Sequence, residues 1–202
     1  MAWVTPHTWT VEEATLALLN DIRDSLRASG GPRSTTPPTA TDEQEWYYPA
    51  DTTNGVVWRL KYNSGSASAY KWEFVGGACM TSAIVTDETS ASTTYVDLAT
   101  VGPSVTVPRA GDYEVELGAQ FYNTNGNTGA WVAVKKGAAA TADADSISNV
   151  VAFSPGISCS RKMIITGLAA SDVLKLQYRS SSGVGTGHWA TRWLAVRPVR
   201  VS

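Results

Sequence analysis

His7 and His188 are the only imidazoles in the chain, and general-base chemistry at neutral pH calls on that side chain first. His188, in GTGHWATRW, follows the serine run Ser180, Ser181 and Ser182, so a base and three hydroxyls lie close in sequence, the raw material of an activated serine. No GxSxG elbow or comparable frame holds those serines, and no catalytic pair is expected. His7, in TPHTW, precedes the first element and is expected to meet solvent or a neighbour.

Carboxylate pairs are the second route to chemistry, because a glycan-cleaving enzyme holds two of them roughly 5 to 9 Å apart. Asp42, Glu43 and Glu45 stand in a polar linker, Asp143 and Asp145 in the polar stretch KKGAAATADADS, and Glu114 and Glu116 on the outer side of an alternating strand. The first two sets lack a rigid support and the third reads as a solvated face, so a glycan depolymerase is the weakest of the functional readings. Asp143, Asp145 and Ser146 offer oxygen at short spacing, but a calcium loop needs more ligands and a closing Glu. Cys79 and Cys159 show no zinc spacing. The alternation Ile157, Cys159, Arg161, Met163, Ile165 puts Cys159 on a mostly apolar face, so buried free thiols are favoured over a disulfide. No metal and no cofactor is expected.

Aromatic residues carry the remaining chemistry, since Trp and Tyr rings stack on sugar faces while their polar atoms reach hydroxyls. Trp58, Tyr62, Trp72 and Trp193 fall on inward positions of alternating strands and are expected to be core or intersubunit packing. The candidates left for a ligand are Tyr122, Asn123, Asn125, Asn127 and Trp131, around the loop NTNGNTGAW, together with His188 and Trp189 beside the Gly-rich loop at 183–189. Strand-end loops are where a sandwich displays binding surfaces.

Such residues need a scaffold, and composition narrows it. With 43% hydrophobic and 17% charged residues in 202, the chain has enough apolar material for a folded, turn-rich domain. A net charge of −2 and a pI near 5.7 provide no basic field, so nucleic acid is not an expected partner. The stretch MAWVTPHTWT has neither a cationic start nor an apolar run, so no signal peptide is expected. No apolar window is long enough to predict membrane insertion.

Four segments follow along the chain. Residues 1–31 contain a predicted helix over 11–28, opened by a capping box of Thr10 and Glu13 and closed by Gly30, Gly31 and Pro32. Its apolar stripe, Val11, Leu18, Leu19, Ile22 and Leu26 with Thr15, is narrow and calls for one partner: its own domain, copies of itself, or another protein. Residues 32–45 read as a Pro/Thr-rich spacer. Residues 46–76 read as a hairpin with one aromatic face, Val56, Trp58, Leu60 and Tyr62, which must lie against the next domain or a neighbouring subunit because a lone hairpin is marginal. Residues 77–202 read as an antiparallel jelly-roll sandwich. Its strands are predicted at 79–85, 94–98, 104–107, 113–122, 130–135, 150–153, 158–166, 173–180 and 188–199, with Tyr113, Val115, Leu117, Ala119 and Phe121 facing inward. The fold class is thus mainly β, with an N-terminal helix.

The phrases SVTVPRAGDYEVELGAQ and GLAASDVLKLQYRSSSG resemble the jelly roll of C1q/TNF-like modules, which are commonly trimeric. HTWTVEEATLALLNDIRDSL is similar to an N-terminal motif of many tailed-bacteriophage virion proteins, and YYPADTTNGVVWRLKYNSGSASAYKWEFVGG looks like the segment that follows it there. The resemblance implies a non-enzymatic minor tail, tail-fibre or head-fibre protein, located in the virion and assembled in the host cytoplasm as a homotrimer. It further implies anchoring to other virion proteins through residues 1–31, by Trp9 with Val11, Leu18, Leu19, Ile22 and Leu26. A host-surface saccharide becomes a candidate partner of the head, and the short linker implies a short appendage.

Overall fold

The computed structural model describes residues 33–150 and 156–202. The helix predicted over 11–28, with Trp9 and the stripe from Val11 to Leu26, lies outside the described residues, as do His7 and the 151–153 part of the strand predicted at 150–153. Twelve strands are described. They are β1 (Glu45–Asp51), β2 (Val56–Tyr62), β3 (Trp72–Gly77), β4 (Met80–Ile84), β5 (Glu88–Ser90), β6 (Ser104–Thr106), β7 (Gly111–Asn123), β8 (Ala130–Lys136), β9 (Ser146–Asn149), β10 (Ile157–Leu168), β11 (Val173–Ser180) and β12 (Gly187–Val201).

Their pairing is antiparallel throughout and makes two sheets, one in the order β1-β2-β3-β12-β7-β10 with β4 and β5 also on β12, the other in the order β6-β11-β8-β9. Setting aside β1–β3 and the short β5, one sheet runs β4-β12-β7-β10 and the other β6-β11-β8-β9. In chain order those are the first, eighth, third and sixth strands against the second, seventh, fourth and fifth. That interleaving of two Greek keys is a jelly roll. Between the sheets lie Tyr113, Val115, Leu117 and Phe121 of β7, Leu194 and Val196 of β12, Val132 and Val134 of β8, and Leu174, Leu176 and Tyr178 of β11, all without solvent exposure. The alternation expected on β7 is therefore the real one.

The aromatic hairpin belongs to the same sheet. β3 continues along β12 through Glu73–Arg200 and Trp72–Val201, and β1, which the sequence did not announce as a strand, pairs with β2 on the other side. Trp46, Tyr48, Trp58, Leu60 and Trp72 are buried in one cluster with the sandwich core. The Trp58 ring lies 6.1 Å from that of Tyr113, and its Nε1 donates to the Ala78 carbonyl at 3.2 Å. Gly77, at φ 130°, lets the chain turn from β3 toward β4 where a Cβ would collide with the Val57 carbonyl. Of the two alternative supports expected for the hairpin, the sandwich that follows it supplies one, through β12.

Residues 33–45, expected as an extended spacer, run back along the hairpin. Ser34 N–H donates to the Tyr47 carbonyl, Trp46 Nε1 donates to the Ser34 carbonyl at 2.7 Å, and Ser64 N–H donates to Asp42. Glu43 pairs with Lys61 and Glu45 with Arg59. The segment has little apolar surface to bury, and it is its backbone and carboxyl groups that find partners.

Several strand expectations change. Residues 94–98 make a single bridge, Val96 to Tyr178, rather than a strand. Val150 lies just past β9, and the short polar strands β5 and β9 were not expected. The largest correction concerns Trp193. A bulge in β12 between Ala190 and Trp193, with Thr191 at φ 46°, adds a residue against β7, and one extra residue reverses the faces of everything beyond it. Arg192 consequently points into the core with no exposure, and Trp193 lies outside, over Gly118.

Candidate functional site

The loop residues proposed from sequence come together only in part. Residues 123–129 and 180–187 do meet at one end of the sandwich. Thr124 N–H donates to the Thr186 carbonyl, Gly129 N–H donates to Ser181 Oγ at 2.8 Å, and Thr128 and Ser182 hydroxyls bond at 3.1 Å. The asparagines build the loop instead of facing outward as a group. Asn123 is fully buried, donates to Ser180 Oγ at 3.0 Å and accepts from the Asn125 amide, and Asn125 in turn accepts from the Asn127 amide. These are turn-forming Asx bonds.

Trp189 is likewise corrected: it is a core residue with no exposure, tilted against Tyr178 at 5.5 Å. His188 and Tyr122 stack at 4.4 Å on the outer face of the first sheet, and His188 Nδ1 stands 3.2 Å from Asp87 Oδ2. Ser180, Ser181 and Ser182 spend their hydroxyls within the loops, so His188 has no serine partner among the described residues. Cys79 and Cys159 are free thiols, half-buried rather than buried.

Trp131 lies on the opposite side of the molecule, on the outer face of the second sheet. It is paired across the β8–β11 ladder with Arg179, whose guanidinium sits 4.2 Å from its ring and 5.2 Å from the ring of Tyr95. That cation, held between two aromatic faces, also grips Asp143: Nη2 donates to both carboxylate oxygens at 2.9 Å, and the Tyr95 hydroxyl donates to Oδ1 at 2.8 Å. The Tyr95 and Arg179 bonds hold the Asp143 carboxyl below the ordinary carboxylate range. Burial pushes the Tyr95 phenol up, and its bond to Asp143 adds to that.

Asp143 and Asp145, expected to be loosely held, are therefore fixed, since Asp145 pairs with Lys136 at 2.8 Å. Both are neutralised by cations, and among the described residues no cluster of three His, Cys, Asp or Glu exists for a metal. The loop carrying Asp143 is folded down on the second sheet. Beside it, Thr141 Oγ1 donates to Gln177 at 2.6 Å, Gln177 Nε2 donates to Asp97 at 3.1 Å, and Lys175 pairs with Asp97 at 2.7 Å.

Between this strapped loop and the 93–95 segment runs an open groove of about 630 Å³, lined by Thr93, Thr94, Tyr95, Lys135, Thr141, Gln177 and Arg179 among others. The sequence reading passed over Tyr95, Lys135, Gln177 and Arg179. A signal existed, because both β8 and β11 were expected and setting Ala130 opposite Ser180 puts Arg179 beside Trp131. A second groove, of about 530 Å³, lies between the β1–β2 turn and the free edges of β4 and β6, and its lining is mostly Thr, Ser and Asn.

Compared with known families and with curated proteins, the sequence finds no match. Among solved structures it is similar to Eiger TNF from S. frugiperda, at 13% identity and a TM-score of 0.43 over 62% of this chain and 95% of that one. It is also similar to the structure of the infectious bursal disease virus Gx strain, at 8% identity and a TM-score of 0.38 over 71% of this chain and 42% of that chain. A VP2 subviral particle of infectious bursal disease virus gives 12% identity and a TM-score of 0.35 over 80% of this chain and 41% of that chain.

Proposed function

We propose that the chain is a structural protein of a tailed-phage particle, a short homotrimeric fibre or minor tail component. In this reading residues 1–31 attach it to other virion proteins and the jelly roll is displayed as a head, with a host-surface saccharide as its partner and no enzymatic role. The observation that carries the reading is the outer face of the first sheet. Its central rows hold Ser158, Gln120 and Ala190, then Ser160, Gly118, Trp193 and Ala83, with the Tyr122–His188 stack above them.

Those rows carry no Lys, Arg, Asp or Glu; charges begin at Asp87 beside His188 on one side and at Glu116 and Lys162 on the other, continuing with Glu114 and Arg197. Subunit interfaces favour such a composition, depleted of charge at the centre and rich in Trp and Tyr. Three copies meeting by this face would bury Trp193 and leave the second sheet of each outward.

Deleting residues 1–32 is expected to leave a folded head of unchanged oligomeric mass by light scattering that no longer joins particles. Incorporation of the truncated protein at full occupancy would overturn the anchoring role.

A further inference from the structure

We propose that the groove on the outer face of the second sheet is a binding subsite for an acidic saccharide, with the Lys135 ammonium taking the sugar carboxylate. The proposal rests on the adhesive part of the reading above and gives it a site and a ligand class. Three features of the groove point there. Its rim and floor offer the hydroxyls of Thr93 and Thr94, the acceptor side of the Thr141 hydroxyl and the second N–H of Gln177, groups that donate and accept as a polyol requires. It presents no large aliphatic side chain to seat a peptide anchor, and the ring of Tyr95 forms its wall. Its volume, about 630 Å³, falls in the range of small-ligand sites.

The charges of the groove decide the sign of the ligand. Arg179 is committed to Asp143, and Lys175 just beyond the groove to Asp97. Lys135 lines the groove yet forms no ion pair within 4 Å among the described residues, although Asp97 feels its charge at longer range. Asp143 also lines the groove, but its charge is met by Arg179, so Lys135 is the ammonium left to take a single carboxylate per sugar, whereas a nucleic acid backbone needs several cations in a row. The frame is also set before any ligand arrives. Tyr95 and Arg179 clamp Asp143, and Thr141 clamps Gln177, so both walls are held at fixed separation and little ordering cost remains.

The test is calorimetric titration of the full chain with tetrasaccharides of galacturonate, of mannuronate and of hyaluronan, each beside its methyl ester, which keeps the rings and removes the charge. The expected result is binding of at least one acid form about tenfold tighter than its ester, a preference lost in Lys135→Gln and kept in Lys135→Arg, consistent with a charge-assisted bond. Equal binding of acid and ester, or a preference that survives Lys135→Gln, would overturn the assignment, as would no binding of any acid form at millimolar concentration. Incorporation into particles is scored on the same variants. Full incorporation without saccharide binding refutes the groove alone, and saccharide binding by a chain that never joins particles refutes the virion role alone.

Discussion

The residue with most at stake in the core is Arg192. Its side chain is wholly buried, its Nη2 lies 2.9 Å from Glu88 Oε2, its guanidinium stands 5.3 Å from the Tyr178 ring, and its Nε and Nη1 have no partner among the described residues. An ion pair of this kind adds little over an apolar pair of the same volume, but removing one member leaves a buried charge unmet. Glu88→Ala is therefore expected to cost about 3–5 kcal/mol in urea unfolding at neutral pH, and a loss under ~1 kcal/mol, the range of a surface pair, would show that water reaches the guanidinium. The pH dependence follows from the same pair. Burial raises the Glu88 carboxyl, but the bond from Thr100 and the Arg192 charge more than offset it, so its value is below the ordinary 4.5. A carboxyl lowered by folding contributes stability that is fully present above its unfolded value and disappears as pH falls through the folded one. The wild-type chain should lose stability as pH falls below about 4.5, and Glu88→Ala should show a shallower acid limb in the same window.

At the scale of elements, legibility tracked whether burial repeats with a regular period. β2 and β11 alternate cleanly and β7 and β8 keep apolar side chains at every second position on their inner face, and the sequence located each within about two residues. β5 and β9 bury almost no apolar side chain and exist because long neighbours offer hydrogen bonds to them, which composition does not reveal. β12 broke the reading at its bulge: strict alternation from Trp189 carries Trp193 inward, whereas Thr191 absorbs one position and sends Arg192 in its place. The site was half legible for a related reason. Trp131 stood out by type, but its companions Tyr95, Arg179 and Asp143 are distant in sequence and meet only through the β8–β11 register and the folded loop. The hairpin illustrates how pairing also fixes cooperativity. Since β3 and β12 share hydrogen bonds and Trp58 packs toward Tyr113, hairpin and sandwich should unfold together. Trp58→Ala should cost about 3–5 kcal/mol and keep a single transition by both fluorescence and far-ultraviolet dichroism. Two separated transitions would mean that β1–β3 form an independent unit.

For the whole molecule, the two outer faces divide the surface by chemistry. The first sheet presents an uncharged aromatic band around Trp193, and the second presents the groove with Tyr95, Lys135 and the strapped loop. Because the sheets lie on opposite sides of one core, association by the first would leave the second open to solvent, and neither function would compete with the other for area. The faces should then be separable by mutation. The Trp193 side chain lies outside the core over Gly118, where a Cβ would run into its ring, so Trp193→Glu changes the face while the core beneath stays packed. In sedimentation velocity the wild-type chain is expected to run as a trimer, Trp193→Glu as a monomer of 21.5 kDa, and Lys135→Gln as a trimer. A charge placed at the centre of an interface costs several kcal/mol per subunit, enough to dissociate a standard-size contact at micromolar concentration. Should Trp193→Glu remain trimeric with unchanged stability, the assembly would have to use another surface. Ile164, exposed on the outer face of the β10 edge strand opposite Glu114, would then be the next to probe by the same substitution.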